Sequence, residues 1–313
     1  TYDNKYRIRA AIVYILRHNM RNGHTCLPKD RLIQATSSFL EIEYDIISDI
    51  LEEMKEDMSL VEDTLDEREF IFLPETYRCE TQIASRLLMM LQFPPQSILG
   101  AENEIAKIES EQNIEYASLQ KKAISEALKL GMLVLTGGPG TGKTTTLNAI
   151  INILKKSGEK VFLAAPTGKA AKRMSELTGE DAKTIHRLLE VEWTENDEPV
   201  FQKNEKNLLK CDAVILDELS MIDIKLFDAI LRSMPLGCRL IMVGDTDQLP
   251  SVGVGNVLGD IIASGILPVV SLKEIFRQSL KSLIVTNAHK IVAGENPELD
   301  CKNNDFFFMS RNN

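Results

Sequence analysis

"LTGGPGTGKTTTL", residues 135–147, decides how the chain is read. Glycine tolerates backbone angles closed to other residues and lets main-chain N–H groups come close to a ligand. The spacing Gly137-x4-Gly142-Lys143-Thr144 is that of a phosphate-binding loop, in which those N–H groups form an anion nest at a helix N-terminus. Lys143 would meet β- and γ-phosphate charge, and the Thr144 hydroxyl would ligate Mg²⁺. The flanks agree. "GMLVLTG" reads as a buried strand, and "KTTTLNAIINILKK" puts Leu147, Ile150, Ile151 and Leu154 on one helical face. A nucleoside triphosphate site built from Gly138, Pro139, Gly140, Thr141, Gly142, Lys143 and Thr144 is the expectation.

Working outward, apolar runs predict strands at 132–136, 160–165, 213–217, 239–244 and 268–272, with helices between them. Alternation of this kind marks an α/β domain with a parallel sheet covered on both faces, and its loops collect at the C-terminal edge. "DAVILDELSMID" (212–223) delivers Asp217 and Glu218 to that edge. Asp217 would hold Mg²⁺, and Glu218 would orient and deprotonate the attacking water. "RLIMVGDTDQLPSVG" (239–253) carries Gln248, whose amide either senses γ-phosphate or merely caps the strand end. "LKEIFRQ" supplies Arg277, a transition-state cation or a solvated surface group.

The remainder is charged unevenly. Of a net −10, residues 1–115 hold the whole excess, with 12 Lys+Arg against 22 Asp+Glu, while residues 116–313 hold 24 of each. A basic groove in the second part is therefore compatible with the acidic total. The N-terminal third reads as a mainly helical, winged-helix-like domain: a helix over 4–20, a second opening at Pro28, a third over 41–57 and a hairpin around a charged turn. The third helix bears Glu41, Glu43, Asp45, Asp49, Glu52, Glu53, Glu56 and Asp57 against Lys55 alone, which favours a protein contact over DNA. Five scattered cysteines without a CxxC pair point to reduced thiols in a cytoplasmic protein, and His18, His24 and Cys26 lack a second cluster to complete a metal site. No apolar run is long enough to span a membrane. The chain starts at Thr1 and stops after "DFFFMSRNN", so a piece of a longer protein is expected.

"GGPGTGKTTT", "APTGKAAKRM", "KTIHRLL", "LDELSMID", "GDTDQLPSVGVGNVL" and "IFRQ" resemble, in this order, the motifs of superfamily 1 DNA helicases. They are most similar to the RecD-like branch (the exodeoxyribonuclease V alpha chain family), and the N-terminal part resembles its stand-alone members. The resemblance covers about 117–313 tightly and 1–116 more loosely. It implies a RecA-like fold and an ATP- and Mg²⁺-dependent motor running 5′ to 3′ on single-stranded DNA and opening forked duplexes in repair or recombination. By position, Gln120 matches an adenine-reading glutamine and Thr145 borders the phosphate loop. Asp217 and Glu218 match the Mg²⁺ and water positions, and Gln248 and Arg277 the γ-phosphate sensors. Pro166, Thr167, Gly168 and Lys169 match one DNA-contacting loop, and Thr184 and His186 another.

From the residues themselves, Lys169 also suits a solvated lysine and His186 a packed helix histidine. Val191 and Trp193 face Val200 and Phe201 across an acidic turn, a hairpin that resembles the strand-separating pin of these motors or is plain surface structure. The expected domains are 1–75, a helical linker over 76–116, a first RecA-like domain over 117–272 with its hairpin near 190–202, and the start of a second over 273–313. Such motors hydrolyse ATP between two RecA-like domains, so residues 1–313 alone should bind nucleotide and turn it over slowly. A motor subunit of a RecBCD-like nuclease machine and a P-loop nucleotide switch are the alternatives.

Overall fold

Ile8, Ile12 and Leu16 recur at helical spacing in α1 (Lys5–Met20), and all three are buried. Asn4 caps this helix, its side-chain oxygen accepting the Tyr6 N–H at 3.0 Å. The computed structural model describes residues 4–195, 199–276, 279–299, 305–306 and 309. They divide into two units, one built from 1–89, 221–233 and 250–257, the other from 90–220, 234–249 and 258–313.

In the first unit, α1 is followed by β1 (Cys26–Pro28), α2 (Lys29–Leu40), α3 (Tyr44–Glu56), β2 (Val61–Leu65), β3 (Arg68–Phe72) and α4 (Pro74–Gln92). The strands form an antiparallel sheet in the order β1-β3-β2. Leu65 pairs with Arg68, and the two turn residues between them, Asp66 and Glu67, both have positive φ, as a two-residue hairpin loop requires. Leu32, Ile47, Leu51, Met54 and Ile71 close a core over α1. The acids of α3 are less isolated than the sequence suggests. Glu52 pairs with Lys29 and Lys55, Glu53 with Lys5, and Asp57 with Arg9. Burial works against the Lys29 ammonium, but hydrogen bonds to Glu52, Glu62 and Glu69 outweigh it and hold its pKa above the usual lysine value.

The second unit begins inside α4. It continues with α5 (Ala101–Gln112), α6 (Ser118–Leu130), β4 (Met132–Gly137), α7 (Lys143–Lys156), β5 (Val161–Ala165), α8 (Gly168–Thr178), β6 (Ala182–Thr184) and α9 (Ile185–Leu188). The hairpin β7 (Val191–Trp193) and β8 (Pro199–Phe201) follows, then β9 (Ala213–Leu216). Helix α10 (Ile224–Ser233) belongs to the first unit, where Lys225 reaches Glu75 at 3.3 Å and the Leu231 carbonyl accepts from Arg86. Strand β10 (Arg239–Gly244), α11 (Val257–Ser264), β11 (Val269–Leu272) and α12 (Leu283–Val292) follow among the described residues.

Six parallel strands run in the order β11-β4-β10-β9-β5-β6. The expected face of α7, Leu147, Ile150, Ile151 and Leu154, packs on this sheet with Ile124 and Leu128 of α6. Each such side chain contributes on the order of 1.5–3 kcal/mol by leaving water. The stretch expected as a linker does more than link: Ala101, Ile105 and Ile108 of α5 are buried in the same core. The register aligns the strand ends. Gly244 lies beside Thr136, Leu272 beside Gly137, and Leu216 beside both Met242 and Ala164, so the loops that follow open at one edge.

Candidate nucleotide and nucleic-acid site

Between β4 and α7 the chain turns through Gly142, whose φ of 84° suits a residue without Cβ. Two hydroxyls brace the turn. Thr141 donates to the Gly138 carbonyl at 2.8 Å and Thr146 to the Gly142 carbonyl at 3.0 Å. The Lys143 ammonium lies inside the loop, donating to the Gly138 carbonyl at 3.0 Å and to that of Gly137. Burial pushes its pKa below the usual lysine value, opposed by the charges of Asp245, Glu218 and Asp217. Thr144 is half-buried, while Pro139 and Thr145 are exposed.

Asp217 and Glu218 leave the end of β9. The Glu218 N–H donates to Asp217 at 2.9 Å, and Glu218 holds a left-handed φ of 55°, a strained state for a residue with a side chain. Burial raises both carboxyl pKa values, and the Asp217 charge raises that of Glu218 further. Lys143 and Arg173 pull both the other way. A hydroxyl on the first turn of α7 and a desolvated carboxylate are hard oxygen donors, the type that Mg²⁺ takes. Thr144 and Asp217 therefore fit the ion.

Asp245, buried at the end of β10, and Arg173 of α8 were not among the sequence candidates, yet both act electrostatically on the centre. The signal for Asp245 was present: like Asp217, it is an acid closing an apolar strand. Gln248 is exposed three residues further on, its N–H bonded to the Asp245 carbonyl at 3.3 Å. Arg277 lies outside the described residues.

Gln120 is 2% exposed, and its amide is engaged within the chain. Its oxygen accepts from Ala117 N–H at 2.9 Å, and its nitrogen donates to the Gly142 carbonyl at 3.3 Å. The cleft bounded by Leu119, Gln120, Thr141, Leu272 and Phe276 encloses about 10 Å³, room for one water. A base can enter there only if Phe276 moves, and the Phe276 N–H is bonded to the Gly140 carbonyl at 3.2 Å. His289 of α12 covers the other end of the loop, its Nε2 lying 3.0 Å from the Pro139 carbonyl. Sequence reasoning had no means of finding either contact.

The expected DNA-contacting residues follow β5 or lie at the end of β6 and the start of α9, at the same sheet edge. Thr167 caps α8, accepting the Ala170 N–H at 3.2 Å, and Thr184 caps α9, accepting the Arg187 N–H at 3.2 Å. Pro166 is half-buried; Gly168 and Lys169 are exposed. His186 is stacked on Trp193 (centroids 6.4 Å apart, planes 14°) and packed against Phe201 at 5.9 Å. The histidine therefore ties the hairpin to the β6–α9 corner. The hairpin tip, 196–198, lies outside the described residues.

Residues 120–254 match a family model described as an AAA domain. The ATP-dependent RecD2 DNA helicase of Deinococcus radiodurans is 32% identical over 305 residues, covering 94% of this chain and 41% of that protein. The RecBCD enzyme subunit RecD of Mycolicibacterium smegmatis is 38% identical over 166 residues, covering 46% of this chain and 30% of that subunit. The Pif1 helicase structure from Candida albicans aligns with a TM-score of 0.45 at 24% identity, over 61% of this chain and 50% of that one. The chain thus spans less than half the length of the curated relatives it matches. With the ordered motifs and the RecD2 match running through both units, the chain belongs to the RecD-like branch of the superfamily 1 helicases.

Proposed function

We propose that this chain carries the nucleotide-hydrolysing part of an ATP-dependent DNA helicase, one that moves 5′ to 3′ on single-stranded DNA and opens forked duplexes in repair or recombination in the cytoplasm. The observation that supports it best is that Lys143 lies inside the phosphate loop while the charges of Asp217, Glu218 and Asp245, acids that close β9 and β10, all act on its ammonium. In this reading Lys143 leaves its carbonyl partners for the γ-phosphate, and Glu218 takes the proton of the attacking water. Thr144 and Asp217 would hold Mg²⁺, which supplies charge neutralisation across the phosphates. Gln248 and Arg277 would sense the γ-phosphate. Gln120 and Thr145 would border the nucleotide, and Pro166–Lys169, Thr184 and His186 would track the strand. Residues 117–272 would form the first motor domain and 273–313 the beginning of the second.

A nuclease-associated motor subunit is the second reading, since RecD subunits are relatives too. The stand-alone reading has the better support, because the RecD2 match takes in 94% of the chain and the RecD match 46%. An acidic α3 face docking on a protein remains compatible with either. The test is ATP turnover and strand separation by the full-length protein on 5′-tailed and 3′-tailed duplexes, with Lys143→Ala as the control. DNA-stimulated turnover with unwinding of the 5′-tailed substrate is expected. Turnover indifferent to DNA, or equal in the Lys143→Ala protein, would sink the proposal and favour a nucleotide switch.

A further inference from the structure

Between Asp3 and Asp30 the sequence contains no acid and six Lys/Arg, in a region that is otherwise strongly acidic. Most of that stretch is α1, whose buried face is Ile8, Ala11, Ile12, Ile15 and Leu16. The opposite face is exposed and carries Ala10, Tyr14, Arg17, His18 and, just past the helix, Arg21. This face is not simply polar. Tyr14 and Phe39 are large apolar side chains left 55% and 58% exposed. They stack on each other at 5.6 Å with planes 19° apart, and His18 continues the series on Tyr14 at 6.0 Å and 24°. The result is a near-parallel ladder, Phe39–Tyr14–His18, running across α2 and α1.

Beside it lies a groove of 450 Å³ lined by Arg9, Val13, Tyr14, Arg17, Met54 and Ser59. Arg9 is occupied with Asp57 and Ser59. Arg17 and Arg21, in contrast, make no ion pair or hydrogen bond with the described side chains. Exposed rings cost solubility, and the helix dipole that favours Arg17 in the last turn of α1 calls for no stacked aromatic rings beside it. Their chemistry together is that of a single-stranded nucleic-acid platform: π-faces for bases, guanidinium groups for phosphates. A bare acidic peptide would use the arginines but leave the ladder unexplained.

We infer that the Phe39–Tyr14–His18 ladder with Arg17 and Arg21 is a second contact for single-stranded DNA, separate from the loops at the edge of the parallel sheet. It takes the strand class from the helicase reading, but the platform stands or falls independently of ATP chemistry. The acidic α3 face, which suggested that this domain avoids DNA, adjoins the groove through Met54 and the Arg9–Asp57 pair, and its acids have Lys5, Arg9, Lys29 and Lys55 among their counter-ions.

The test uses the whole 313-residue chain and a fluorescein-labelled oligodeoxythymidylate read by anisotropy. Arg17→Ala with Arg21→Ala should weaken binding and lower the slope of log affinity against log salt by about 1.4, two phosphate contacts on a single strand. Tyr14→Ala should weaken binding by roughly five- to one-hundred-fold, and Tyr14→Phe should restore most of it. Unchanged unfolding temperatures would show that the variants fold. Independently of any variant, an oligonucleotide carrying 5-iododeoxyuridine should crosslink on irradiation to a peptide containing Tyr14 or Phe39. Crosslinks confined to residues 90–313, or wild-type affinity and salt slope in the double arginine variant, would overturn the platform. So would displacement of the oligonucleotide by polyglutamate at matched charge, which would mark a charge-only surface. Failure of the motor reading looks different: absent DNA-stimulated turnover, with the ladder still crosslinking.

Discussion

Arg239 is fully buried at the start of β10, and replacing it by methionine perturbs the scaffold without touching the phosphate loop. Its guanidinium bonds both oxygens of Glu159 at 3.0 Å and donates to the carbonyls of Leu128 at 3.0 Å, Ala127 at 3.3 Å and Gln96. Ala127 and Leu128 lie in the last turn of α6, where helix carbonyls have no intrahelical partner. One side chain therefore neutralises an acid and caps a helix. Removing one member of a buried pair costs about 3–5 kcal/mol, and an orphaned buried carbonyl about 1–3. The Glu159 side chain is 19% exposed and can regain some water, which pulls the total down. Arg239→Met should thus destabilise the second unit by about 4 kcal/mol, a fall of roughly 8–16 °C in its midpoint for a unit of this size. Circular dichroism melts, with hydrogen exchange of the β4 and β10 amides, would measure it. Adding Glu159→Leu should recover part of the loss, because an apolar pair leaves no stranded charge. A fall below about 1 kcal/mol would refute the reasoning and mean that water replaces the guanidinium at little cost.

Glu218→Gln should leave nucleotide binding intact and slow hydrolysis in the full-length protein by roughly a hundred- to ten-thousand-fold, measured by phosphate release; lost binding would mean that Glu218 shapes the pocket instead. The same carboxyls predict a pH effect on stability. Folding raises the pKa of Asp217 and Glu218, so the folded chain keeps protons that the unfolded chain has released. Their contribution is therefore lost as pH rises from about 4 through the raised values, and Glu218→Gln should flatten that decline in melts of the nucleotide-free chain. Trp193→Ala removes the ring stacked on His186 and should reduce duplex unwinding while DNA-stimulated ATP turnover continues; unwinding at the wild-type rate would make the hairpin ordinary surface. A Cβ on Gly138 would stand 2.7 Å from His289 Cε1, so Gly138→Ala should weaken nucleotide binding, and His289→Ala in the same chain should restore it; no rescue would place the defect within the loop itself.

What was legible in the sequence was what each segment justifies locally. An apolar run of five or six residues is too short for a helix of ordinary length and suits a buried strand, and β4, β5, β9, β10 and β11 lie where they were expected within a residue or so. Strand β6 escaped because "AKT" carries no apolar signal; it is a strand only because Leu163, Ala164 and Ala165 of β5 offer it partners. The division of the chain was equally hidden. The apolar stripe of α5 is too sparse to reveal by period alone that it completes the core of the second unit, and the boundary falls at 89–90, inside α4, rather than at 75. "GDTDQLPSVGVGNVL" looks like one motif, yet its residues up to Leu249 belong to the second unit and Pro250–Val257 to the first, where the Gly255 N–H donates to the Gly23 carbonyl at 2.9 Å.

The same distinction separates the site residues. Lys143, Asp217 and Glu218 are visible because the proposed phosphate chemistry calls for a residue type at a fixed place beside a strand or a glycine turn, and neither requirement depends on distant chain. Phe276 and His289 have no such signature. They matter because the fold carries β11 beside β4 and returns α12 to the phosphate loop, so that a ring meets Gly142 and an imidazole meets Pro139. Thr167 and Thr184 sit between the two kinds, since a hydroxyl that caps a helix is also a donor at the sheet edge, and sequence cannot apportion the two roles. Replacing each by serine, which keeps the cap and the hydroxyl, and by alanine, which removes both, leaves the roles joined. Aspartate keeps the cap but sets a negative charge against a phosphate. If these threonines touch the strand, the aspartate forms should melt like wild type and bind DNA worse than the alanine forms; if they only cap, binding should follow stability.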